Sequence, residues 1–206
     1  MAVKIGVNVD MKGIMKSLKQ VEKKEMPYAI EVGLNLTAKD INKRLKHVIP
    51  AYIDRPTTFT KNAFGFTRAT KVKQFATLFI KDIQEKYLRW TIKGGSQVKR
   101  GRYLFGVPVP TPNITLNKFG NIPGRRTGLA KKKNQFIGKV RGTAGVWEKQ
   151  KDGTTRMLIA FKRSVFYRPN RFPYVKLIQK FYLERIGKNM IKGARIAMAP
   201  RKAKGR

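Results

Sequence analysis

PYVKLIQKFYLERIGKNMIKGARIAMAP, Pro173 to Pro200, is the stretch from which the fold is read. Val175, Ile178, Tyr182, Ile186, Met190, Ala194 and Ala197 recur at steps of three or four residues, which gathers them on one face of an α-helix. Pro173 suits a helix start, and Pro200 ends the helix because the residue before proline avoids the helical conformation. A long amphipathic helix of this kind needs an apolar partner surface, and the chain upstream supplies candidates.

Immediately before it, AGVWEKQKDGTTRMLIAF (Ala144 to Phe161) places Asp152 and Gly153 between two apolar runs, the short-range sign of a β-hairpin. Farther upstream, Phe64, Phe66 and Arg68, then Ala76, Leu78 and Ile80 against Phe75, Thr77 and Phe79, alternate as strands do, and predict strands over residues 62–69 and 74–81. Ile30, Leu34, Ile41, Leu45 and Val48 predict a second long helix, with Pro27 in its first turn and a stop before Pro50. Ala2 to Val9 reads as a short strand, Met11 to Pro27 as a helix on Ile14, Leu18 and Val21, and Ile83 to Trp90 as a short helix ended by Gly94 and Gly95. The expected fold class is α+β: a mainly antiparallel sheet packed against an N-terminal helix and a long C-terminal helix. The expected organisation is a single domain over residues 1–199, with a basic, loop-rich arm at 95–142 and a basic tail at 200–206. Within the arm, GVPVPTPNITLNKFGNIPG (Gly106 to Gly124) is punctuated by Gly and Pro, and short strands are expected at Tyr103 to Val107 and Asn113 to Leu116.

Charge is the chain's dominant chemical property. Its 206 residues hold 47 Lys and Arg against 11 Asp and Glu, a formal charge of +36, while 41% hydrophobic content leaves ample material for a core. Such an excess repels itself in a compact state unless a polyanion or an acidic neighbour compensates it. Neutralising phosphates releases condensed counterions, which makes nucleic acid the simplest partner. No acid occurs between Lys86 and Trp147, nor after Glu184. The expected contact residues are Lys99, Arg100 and Arg102; Arg125, Arg126, Lys131, Lys132, Lys133, Lys139 and Arg141; and Arg201, Lys202, Lys204 and Arg206. Without a base-reading motif, they should meet phosphate backbone or acidic protein surface.

Other chemistries find little support. There is no cysteine and one histidine, His47, so Cys-ligated and poly-His metal sites are excluded, and His47 reads as a capping or partly buried residue. No phosphate-binding G-x-x-x-x-G-K-[ST] loop is present, and none of Ser17, Ser96 and Ser164 lies in a G-x-S-x-G turn. Asp10, Glu22 and Lys24 loosely follow the acid and lysine order of some metal-dependent nucleases, but Glu22 and Lys24 fall on an expected solvated helix face. Asp82 and Glu85 read as helix-surface partners of Lys86 and Arg89. Trp90, Tyr103 and Phe105 interleave with basic residues in RWTIKGGSQVKRGRYLFG; core packing is the plainer reading and base stacking the rival. No enzyme activity and no cofactor are expected. MAVKIGVNVD lacks the apolar run of a signal peptide and no stretch approaches the ~18 apolar residues of a membrane span, so synthesis in a cytoplasm is expected.

Two stretches together resemble a known family. RPTTFTKNAFGFTRAT followed by ATLFIKD has the order Arg-Pro-Thr, aromatic-Thr, Asn-Ala, then a strand ending in Lys-Asp, and is similar to a block of tailed-bacteriophage virion proteins. GVWEKQKDGTTRMLIAFKRSVFYRPNRFPYVKLIQKF resembles the carboxy-terminal half of the minor tail protein Z, or tail-completion, family; Pro27 and the helix bearing Asn35 suit that family's opening. The likeness covers Met26 to Lys81 and Gly145 to Met190, and residues 95–142 depart from it. It implies a non-enzymatic ring subunit at the head-to-tail joint of a virion, with sixfold symmetry favoured. Portal, neck or tail-tube proteins would be its neighbours and genomic DNA would lie close by. A ribosomal or other RNA-binding structural protein would share the same charge, and a DNA-processing enzyme is the third class.

Overall fold

The computed structural model describes residues 2–6, 25–98, 106–123, 133–169 and 171–199. The fold is α+β, and every strand pairing among these residues is antiparallel. In chain order the elements are β1 (Ala2–Gly6), α1 (Met26–Val48), α2 (Thr58–Lys61), β2 (Phe64–Thr67), β3 (Phe75–Ile80), α3 (Asp82–Lys93), β4 (Gly95–Val98), β5 (Val107–Pro110), β6 (Gln135–Val140), β7 (Thr143–Lys149), β8 (Thr155–Lys162), β9 (Ser164–Tyr167) and α4 (Tyr174–Met198). The strands form three sheets rather than one, in the orders β1-β3-β2, β4-β9 and β5-β8-β7-β6. The chain forms two compact units, the first from the described parts of Met1–Ala51, Thr58–Lys86 and Pro173–Arg206, the second from Tyr52–Thr57 and Tyr87–Phe172.

In the first unit the two long helices pack on each other, and α1 also lies against β2 and β3. Most of each expected stripe is buried: Ile30, Leu34, Ile41 and Leu45 on α1, and Ile178, Ile186, Met190, Ala194 and Ala197 on α4. Val48, Val175 and Tyr182 are half-buried, and Leu177 and Phe181, outside the expected stripe, join the core. Pro27 does lie in the first turn of α1, and Ala199, which precedes Pro200, turns extended to end α4. The helices approach closely around Gly33 and Gly193. A Cβ on Gly193 would sit 2.5 Å from the Ala29 carbonyl oxygen and 2.8 Å from the Gly33 nitrogen. Small residues are needed there because Ala29, Ala194 and Ala197 already fill the adjoining space. A buried polar contact completes the pairing. The Asn189 amide donates to Thr37 Oγ1 at 3.2 Å and to Asp40 Oδ2 at 3.1 Å, and Thr37 donates to the Gly33 carbonyl. Nearby, Arg44 pairs with Glu184 and stacks over Phe181, 5.1 Å from the ring centre. The Arg44 hydrogen bond holds the Glu184 carboxyl below its ordinary 4.5.

The three-stranded sheet turns Ala76, Leu78 and Ile80 inward, as the alternation requires. Phe64 stacks on the fully buried Tyr174 at 5.8 Å, which ties the sheet to the start of α4. β1 pairs with β3 from Ala2 opposite Phe79 to Gly6 opposite Phe75. The expected continuation of β1 to Val9, and the expected helix from Met11 up to the start of α1, lie outside the described residues.

The second unit contains the two- and four-stranded sheets. The hairpin expected at Asp152–Gly153 joins β7 to β8: Asp152 Oδ1 accepts from the Thr154 N–H and hydroxyl, and Gln150 N–H closes the loop on the Thr154 carbonyl. Val146 pairs with Ile159 but Trp147 with Met157, so β8 carries Leu158 as an extra residue and buries Leu158 and Ile159 in succession; on β7 Gly145, Val146, Trp147 and Glu148 are all buried. Val146, Leu158 and Ile159 make the small core, covered by Ile114, Ile122 and Phe161.

The region expected to be a loop-rich arm carries β4, β5 and β6. In place of the strand expected at Asn113–Leu116 the chain turns at Asn113 and Ile114 and runs on as irregular backbone. Asn113 Nδ2 donates to the Met157 carbonyl, Thr111 Oγ1 to the Met157 and Leu158 carbonyls, and Ile114 N–H returns to Thr111, so side chains take the place of a ladder. The neighbouring strand is Val107–Pro110; residues 103–105 of the other expected strand lie outside the described ones.

Candidate polyanion interface

Three of the expected contact residues can be placed, and they are spread along one hairpin from its open end to its tip. Lys133 lies just before β6, Lys139 lies on β6 opposite Ala144, and Arg141 forms the β6–β7 turn with Gly142. All three are exposed. The turn needs positive φ at both positions, 45° at Arg141 and 81° at Gly142, the primed two-residue geometry that matches strand twist. Gly142 adopts it freely, whereas Arg141 holds a conformation that disfavours a side chain. The hairpin therefore presents a guanidinium at its tip. Along β6, Ile137 and Lys139 face outward while Phe136 and Val140 are half-buried. The Lys149 ammonium sits 5.8 Å from the Phe136 ring centre.

Lys99, Arg100, Arg102, Arg125, Arg126, Lys131 and Lys132 lie outside the described residues, as do the tail residues Arg201, Lys202, Lys204 and Arg206. Tyr103, Phe105, Asp10, Glu22 and Lys24 also lie outside them.

Next to the hairpin, Asn134, Glu148, Lys149, Gln150, Lys151, Asp152 and Arg156 line a polar cleft. It sets two acids among three bases. Glu148, buried among them, accepts from Arg156 at 2.6 and 2.8 Å and from Gln135 at 3.1 Å. Thr154 holds the Asp152 carboxyl below its ordinary value. The cleft thus offers a polyanion less net attraction than the hairpin tip does.

In the first unit, sequence reasoning passed over the β2–β3 connection, where Arg68, Lys71 and Lys73 are exposed and Val72 between the lysines is 93% exposed. Thr70 closes this turn from both its backbone and its hydroxyl, bonding Lys73 at 2.9 and 3.0 Å. Asn35 on α1 anchors its base through Ala69. The available signal was the absence of any acid between Asp54 and Asp82.

The remaining candidates are placed as follows. Asp82 and Glu85 stand in the first turn of α3, where negative charge favours the helix N-terminus. His47 is exposed in the last turn of α1 rather than partly buried, because the helix rotates it away from the Ile41 and Leu45 stripe. Trp90 packs on Tyr167 at 6.1 Å. Among the described residues no three His, Asp or Glu side chains gather in a metal-holding group, and no helix is long and apolar enough to cross a membrane. No protein-family model, curated protein or solved structure matches the chain.

Proposed function

We propose that this chain is a structural subunit of a tailed-bacteriophage virion. It sits at the tail-completion or neck position where tail meets head, and touches genomic DNA or acidic neighbouring subunits through its basic segments. The observation that carries this reading is the uncompensated charge. Were every one of the 11 acids matched to a base, 36 of the 47 would remain. Two of the acids already pair with bases of the chain itself, Glu148 with Arg156 and, at the surface, Glu184 with Arg44, and Asp40 accepts from the Asn189 amide. A cyclic ring, sixfold by preference, would concentrate that field on a lumen through which a polyanion passes. Portal, neck or tail-tube proteins would then be its neighbours. The resemblance to phage virion proteins read from the sequence over Met26–Lys81 and Gly145–Met190 is in keeping with it.

The test is location and assembly. Peptides of this chain should be found in density-purified phage particles at a fixed ratio to tail protein, and native mass spectrometry should give a closed oligomer. Co-sedimentation with ribosomes, without particle association, would overturn the reading in favour of an RNA-binding protein.

A further inference from the structure

The β4–β9 ribbon brings together two parts of the chain that carry no acid. β4 falls between Lys86 and Trp147, and β9 falls between Gly153 and Leu183, where Asp and Glu are again missing. Antiparallel pairing sets Ser96 opposite Phe166 and Val98 opposite Ser164. Because strand residues alternate, these four share one face, and all four are exposed, Phe166 at 69%. Lys162, Arg163 and Arg168, all exposed, flank β9 at its two ends.

The opposite face is fastened down. Tyr167 stacks on Trp90, its hydroxyl donates to Gln97 at 3.1 Å, and the Arg89 guanidinium lies 4.5 Å from the Trp90 ring. A fixed inner face leaves the outer ring of Phe166 preorganised instead of free to bury itself.

From this juxtaposition we propose that the outer face of the β4–β9 ribbon is a stacking platform for a short run of single-stranded nucleic acid. A base lies on Phe166, and adjacent phosphates are neutralised by Arg163, Arg168 and Lys162. The charge complementarity selects a polyanion, and the exposed aromatic selects one whose bases are free to stack, which a duplex does not offer. Ser96 and Ser164 supply hydroxyl donors that suit phosphate or sugar oxygens. With no base-edge reader on the face, binding should be tolerant of sequence. The site is separate from the β6–β7 hairpin and does not depend on where the protein resides, so its failure would leave the virion reading standing.

Fluorescence anisotropy of the full chain with a labelled oligothymidylate of 12 nucleotides, and with a 12-base-pair duplex, tests the proposal. Phe166→Ala and Phe166→Leu should each weaken binding to the single strand by roughly five- to hundredfold, and Phe166→Trp should retain it. Duplex affinity should change less than twofold. Circular dichroism melting of each variant checks the fold, and the Trp variant reports on the site even if Ala disturbs the ribbon. Equal losses on both nucleic acids, or no loss on either, would overturn stacking. A change in sedimentation of the protein alone, with oligonucleotide binding untouched, would instead mark a protein-docking face and would also overturn it.

Discussion

Asn35 and Ala69, 34 residues apart, exchange two hydrogen bonds: the Asn35 amide donates to the Ala69 carbonyl at 3.1 Å, and the Ala69 N–H donates to Asn35 Oδ1 at 2.8 Å. Ala69 is 1% exposed, so one side chain on α1 satisfies both backbone groups of a buried residue at the base of the β2–β3 connection. Asn35→Ala leaves a donor and an acceptor buried together, and should destabilise the protein by about 1–3 kcal/mol per missing partner at most. Urea unfolding measures it; an unchanged midpoint would mean that water replaces the amide.

Gly193→Ala tests the helix crossing. The added Cβ would meet backbone atoms of Ala29 and Gly33, not the ends of flexible side chains, so the helices must separate. A loss of about 1–3 kcal/mol is expected despite alanine's better helix propensity. Gly187→Ala on the same helix meets nothing and should be neutral or stabilising, which makes it the matched control.

Tyr174 makes alkaline stability a probe of the core. Burial, aided by the negative charge of Glu85, raises its phenol above the ordinary 10.0. A raised folded value means stability is complete below pH 10 and declines as pH climbs from there toward the folded value, since only the unfolded chain ionises readily. Tyr174→Phe should flatten this alkaline decline. Thermal melts between pH 8 and 11.5 measure it, and an identical slope in both proteins would show that the phenol ionises without unfolding.

Neutralising Lys133, Lys139 and Arg141 together addresses the hairpin. Duplex DNA affinity should fall, and the slope of log K against log salt should shrink by about 0.9 for each phosphate that these side chains no longer neutralise. An unaltered slope would place the hairpin against protein or solvent.

The two long helices were legible because a stripe of apolar residues at helical spacing has one physical meaning over six or seven turns, and prolines marked their ends. β3 and the β7–β8 hairpin were legible for the same reason at period two. β6 was not: its outward Ile137 and Lys139 blur the alternation, and Arg141–Gly142 is not a dipeptide that announces a primed turn. Asn113–Leu116 misled because Ile114 and Thr115 favour strands, yet Thr111 and Asn113 capture the Met157 carbonyl and close a turn. Asn189 was invisible as well. It sits beside the apolar stripe of α4, and only the three-dimensional meeting with Thr37 and Asp40 explains a buried amide there. At the interface, charge pointed to regions but not to faces. The pairing of β4 with β9, residues about 70 apart in sequence, lies beyond any local pattern.

The first unit draws on three separated stretches of chain, and its principal helix pair joins α1 to α4. On the ribosome, α1 therefore emerges with β2 and β3 to cover only part of its apolar stripe and must wait for its main partner until Tyr174–Met198 has been translated. The second unit, whose residues all precede α4, can close earlier. Throughout that interval the nascent protein carries Leu34, Ile41 and Leu45 without their companion, so chaperone capture and proteolysis should concentrate on the α1 segment rather than on the hairpins.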